Sequence, residues 1–104
     1  MSLYYNISGS TSVTTELLSP DISVNVKTLV ICNTHASNDA SITLFIQNNP
    51  TSGTTNTYNI IKAVALPAKT SLIFDKEDLF NYSDAYGLYI TVGSSDTVDV
   101  VINK

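Results

Sequence analysis

Arginine is absent from the chain, and the five basic residues are Lys27, Lys62, Lys69, Lys76 and Lys104. They are scattered and outnumbered by nine acidic residues, giving a formal net charge of −4. A nucleic-acid binder needs clustered cations to displace counterions from phosphates, so no nucleic-acid partner is expected. Cys32 is the only cysteine, which excludes an intramolecular disulfide. Within its apolar run it is expected to be a buried thiol that packs like a small hydrophobe. His35 is the only histidine, and Asp39 is the only carboxylate near it in sequence. Too few ligands surround it for a metal site, and it reads as a solvated residue of a polar turn. The four glycines stand isolated, so no glycine-rich phosphate cradle exists. No apolar run approaches the roughly 18 residues of a membrane-spanning helix. The first ten residues lack a basic segment followed by an apolar one, so no signal peptide and no membrane partner are expected.

Charge of either sign is scarce, at 13% of residues against a usual quarter or so. Hydrophobic residues make up 43%, and the polar remainder is dominated by Ser, Thr and Asn. That balance suits a β-protein with a neutral, hydroxyl- and amide-rich surface. At 104 residues the chain forms one domain with a sizeable core.

The run from Val26 to Gln47 organises the rest. Thr28 to Cys32 is apolar at both parities, which predicts a central strand covered on both faces. Ile42, Leu44 and Ile46 alternate with Thr43, Phe45 and Gln47, and the polar stretch Asn33 to Asp39 between the two runs predicts a hairpin. Further strands are expected over Leu3–Ile7, Val13–Leu18, Tyr58–Leu66, Ser71–Phe74, Gly87–Val92 and Thr97–Ile102, with Ile22 to Lys27 leading into the central run. Val98, Val100 and Ile102 should face inward, and so should Leu88, Ile90 and Val92. Turn signals separate these runs, including Ser8-Gly9-Ser10, Ser19-Pro20-Asp21 and Pro67-Ala68-Lys69-Thr70. Residues 48–56 carry no apolar side chain and read as an exposed loop. The expectation is a single all-β domain over residues 1–104: an antiparallel β-sandwich of jelly-roll type with seven or eight short strands. At most one helical turn is expected, near 76–81, and residues 1–10 read as an N-terminal arm or edge strand.

Catalytic patterns are missing. No Gly-x-Ser-x-Gly elbow accompanies His35. Asp75, Glu77 and Asp78 could hold Ca²⁺ only loosely, since the spacing of a calcium loop is absent and Lys76 sits among them. Asp96 suits a turn and Asp99 the outer face of a strand. No catalytic residue, cofactor or metal is predicted, and the chain does not read as an enzyme. Tyrosine is the one residue type that suggests contact. Tyr4, Tyr5, Tyr82, Tyr86 and Tyr89 offer rigid area with a polar tip, suited to a protein interface or to stacking on sugars.

Three segments resemble a small family of phage and prophage virion-associated β-sandwich proteins. Leu29-Val30-Ile31-Cys32-Asn33-Thr34 resembles that family's L-x-I/L-C-N-T run. Tyr58 to Leu72 is similar to its Y-x-I-x-K-x-V-x-I-P-A-G-T-S-L segment, with Lys69 where the pattern has glycine. Ser95 to Ile102 resembles its closing A/D-V-D-V-V strand. The residues from Asp75 to Asp84 are longer and more acidic than the pattern. The resemblance implies a non-enzymatic particle component made in the host cytoplasm, a decoration or a tail or neck accessory subunit. Its partners would be itself, as a homo-oligomer, and other virion proteins. The alternative is a small carbohydrate- or ligand-binding sandwich that uses Tyr82, Tyr86 and Tyr89.

Overall fold

A computed structural model describes residues 2–8, 13–19, 26–48, 52–75, 85–93 and 96–103. The helical turn expected near 76–81, Tyr82, the carboxylates of Glu77 and Asp78, and the lead from Ile22 to Asn25 lie outside the described residues.

Eight strands follow one another: β1 (Ser2–Ser8), β2 (Val13–Leu18), β3 (Thr28–Asn33), β4 (Ala40–Asn48), β5 (Thr57–Leu66), β6 (Ser71–Phe74), β7 (Tyr86–Val92) and β8 (Thr97–Asn103). Every pairing is antiparallel, in two sheets ordered β1-β8-β3-β6 and β2-β7-β4-β5. Strands pair first with last: β1 with β8, β2 with β7, β3 with β6 and β4 with β5. The chain is thus one long ribbon folded between β4 and β5 and rolled up, and the pairs β3–β8 and β4–β7 hold the roll closed. This is a jelly roll.

Period-two alternation decides which faces meet. Leu29, Ile31, Val98, Val100 and Ile102 of the first sheet are fully buried against Ile42, Leu44, Leu88, Ile90 and Val92 of the second. Each such side chain contributes on the order of 1.5–3 kcal/mol by leaving water. Two departures from strict alternation are bulges. A register shift between Glu16 and Leu18 lets the consecutive Leu17 and Leu18 both point inward. Register shifts opposite Ile42–Phe45 give β5 extra residues, so the consecutive Ile60 and Ile61 both pack on the core.

Three expectations need correction. β3 and β4 do not form a hairpin: they lie in opposite sheets, and residues 34–39 carry the chain across the sandwich. Each strand has one apolar face, and these two faces meet through the core instead of lying side by side. β3 is central in its sheet but is covered on one face only, because Val30 and Cys32 are half-buried on the outer surface. Cys32 is therefore not a core thiol.

Candidate interaction surface

The tyrosines picked out from the sequence fall in different places. Tyr5 points into the sandwich from β1, and its hydroxyl donates to the Leu17 carbonyl of β2 at 2.6 Å, tying the two sheets together along one side. Burial raises the Tyr5 hydroxyl pKa, and the Glu16 carboxylate raises it further. Tyr89 lies on the outer face of the second sheet. It stacks on Phe45 with ring centroids 5.5 Å apart and donates to Glu16 Oε2 at 3.1 Å. Burial, then the Glu16 hydrogen bond and charge, push its pKa up as well. Tyr86 has the opposite parity on β7 and packs against Tyr58, centroids 5.9 Å apart. Burial first and Tyr58 second raise its hydroxyl pKa. Tyr5, Tyr86 and Tyr89 therefore do not share one platform.

Tyr4 is different. It is 74% exposed on the outer face of the first sheet, directly opposite Val101. Val101 lies opposite Val30, and Val30 opposite Ile73, which is 60% exposed. Tyr4, Val101, Val30 and Ile73 thus form one straight apolar row across all four strands. Polar rows flank it. On one side Asn6 Nδ2 donates to Asp99 Oδ1 at 2.6 Å, with Cys32 and Ser71 completing the rung. On the other, Asn103 Nδ2 donates to Thr28 Oγ1 at 2.6 Å. This row explains why β3 is apolar at both parities: Leu29 and Ile31 belong to the core, and Val30 belongs to the surface row. Exposed Tyr4 and Ile73 at the ends and half-buried Val101 and Val30 between them make an aligned row, unlike the scattered apolar residues that any surface carries.

The outer face of the second sheet is hydrogen-bonded to itself. The Thr14 and Thr91 hydroxyls meet at 2.8 Å, and Ala63 N donates to Thr43 Oγ1 at 2.9 Å. Gln47 Nε2 donates to Thr57 Oγ1 at 2.7 Å, and Ser19 Oγ donates to the second Glu16 oxygen at 2.9 Å.

Among the described residues no catalytic arrangement surrounds His35. The ring is half-buried, and its Nδ1 accepts the backbone N–H groups of Ser37 and Asn38, both at 3.1 Å. From its place in the polar turn the imidazole orders the crossing between the sheets. Among the described residues no group of three or more His, Cys, Asp or Glu is placed to hold a metal ion. Asp96 caps a turn, accepting from Ser41 N at 2.9 Å.

Asn33 is the residue that sequence reasoning passed over. It is fully buried. Its Nδ2 donates to the Asn38 and Leu66 carbonyls, both at 2.9 Å, and its Oδ1 accepts from His35 N at 3.0 Å. One amide thus joins β3, the crossing and the end of β5. The signal was its parity, since Asn33 continues the inward series Leu29, Ile31, and a polar group there has to find partners.

No family model matches the chain, and no curated protein matches it.

Proposed function

We propose that the protein is a non-enzymatic structural subunit of a virus particle, an oligomerising decoration or tail or neck accessory component that acts by packing against other protein chains. The observation that carries this reading is the row Tyr4–Val101–Val30–Ile73, an uncovered apolar band on a sheet face whose other described outer positions are uncharged apart from Asp99. Apolar area with depleted charge is the composition of an interface core. Two further supports come from elsewhere. Jelly rolls recur in viral capsid subunits, although also in lectins, and the sequence resemblance is to phage and prophage virion proteins.

Sedimentation velocity across about 1 μM to about 1 mM protein tests the reading. The wild-type chain should associate as concentration rises. Ile73→Lys, which places a charge at the exposed end of the row, should weaken that association about tenfold or more. A single monomer mass throughout, together with sugar binding on a glycan array, would overturn it in favour of the carbohydrate-binding alternative.

A further inference from the structure

Four strands of the sandwich are sheet edges, and three are guarded. β2 carries Glu16 and a register shift. β5 carries Lys62, shifted register and Ala63 at a φ of 51°. β6 is only four residues long. Charges, bulges and shortness are the devices that stop an edge from pairing with another chain. β1 has none of them. Its seven residues, Ser-Leu-Tyr-Tyr-Asn-Ile-Ser, contain no charge and no proline, and they pair with β8 in unbroken register from Ser2↔Asn103 to Ser8↔Thr97. Among the described residues no strand occupies its outer edge.

We propose that β1 is a self-pairing edge, which joins antiparallel to β1 of a second copy about a two-fold axis through Tyr5. The occupant follows from the order of the residues. An antiparallel pair centred on Tyr5 sets Ser2 opposite Ser8, Leu3 opposite Ile7 and Tyr4 opposite Asn6 of the other copy, so the strand is close to a palindrome in chemistry. Isologous contact requires that symmetry, because each residue meets its counterpart's partner in both directions. Antiparallel ladders hold a two-fold axis at hydrogen-bonded and non-hydrogen-bonded pairs alike, so the register closes with about six to eight backbone hydrogen bonds. Leu3 and Tyr5, half-buried on the inward face of β1, gain the inward-facing Ile7 of the other copy as a cover. A neutral strand also suits a second copy of a chain with net charge −4, since it adds no repulsion where the two approach. The pairing deepens the reading as a packing subunit and rests on it. It sets the two Tyr4 rings as diagonal neighbours, roughly 7–8 Å apart, and so joins both apolar rows into one band.

Sedimentation velocity and native mass spectrometry of the whole chain test the proposal. The wild type should show a species at twice the 11.2 kDa chain mass. Tyr4→Lys/Asn6→Lys sets lysines opposite each other twice across the axis and should weaken the dimer about tenfold or more. The same change moves the net charge from −4 towards zero, so its effect cannot come from general repulsion. Mixing this variant with Tyr4→Glu should restore a heterodimer, which an unfolded variant could not do. An Ile73→Lys chain should keep the dimer and lose only association beyond it. A dimer indifferent to Tyr4→Lys/Asn6→Lys but lost in Ile73→Lys would overturn the β1 pairing and leave the packing reading standing. No association at any concentration would overturn both.

Discussion

Asn33 shows how one amide can hold a crossing between sheets. Three hydrogen bonds converge on it in a place without exposure, and among the described residues no buried side-chain polar atom lacks a partner. Asn33→Ala removes both donors and the acceptor, leaving the Leu66 carbonyl and the His35 N–H to find water. Urea denaturation should show a loss of about 3 kcal/mol. Tyr5 and Tyr89 contribute a pH dependence. Both hydroxyls have raised pKa values in the folded chain, whereas an unfolded tyrosine titrates near 10.0. The native state therefore holds these protons more tightly. Their contribution is fully present below pH 10 and is lost as pH rises through the folded values above it. Urea midpoints from about pH 9 to about pH 11.5 should fall for the wild type, and fall less steeply for Tyr5→Phe/Tyr89→Phe. Neither tyrosine announced its role in the sequence, since the partner of each, Leu17 or Glu16, comes from another strand.

At the scale of elements, alternation was legible and pairing was not. The inward sets Val98, Val100, Ile102 and Leu88, Ile90, Val92 stand where the period of two puts them. Periodicity identifies a strand's faces but not its neighbour, so β3 and β4 resembled a hairpin although the loop between them spans the sandwich. Bulges hide in the same way, because an extra residue in β5 looks like a change of phase. The turn between β5 and β6 gives the clearest case of a residue working against its backbone. Lys69 sits at a φ of 57°, where its N–H donates to the Asn33 carbonyl at 3.0 Å. A side chain with a Cβ costs about 1–2 kcal/mol in that conformation, and glycine gives back part of the gain through its freedom when unfolded. Lys69→Gly should raise stability by up to about 1 kcal/mol, seen as a higher urea midpoint with an unchanged m-value. Lys69 offered no sign of this conformation by itself.

For the molecule as a whole, the two sheets have different outer faces, and the difference arises from a few rungs. Hydroxyls, an amide and a carboxylate satisfy one another on the second sheet. On the first, the same alternation brings Tyr4, Val101, Val30 and Ile73 to one level with nothing polar among them. Val101, Val30 and Ile73 are unremarkable in sequence, and the four lie up to 97 positions apart (Tyr4 to Val101). Only the roll gathers them, which is why the tyrosines could be suspected of making contacts while the surface itself could not be drawn.

The pairing of first strand with last has a consequence for how the chain is made. On the ribosome β1 emerges before its partner β8, with the other six strands made between them. Until then its uncharged, unguarded backbone has no β8 to pair with, and β3 also lacks one of its two neighbours. The first sheet can be completed only once β8 has been made, and closing so distant a contact is slow. Neighbouring nascent chains on one message would present the same strand to each other during that interval, at high local concentration. A strand able to pair with its own copy has, in that setting, the opportunity to choose a sister chain before it meets its own eighth strand.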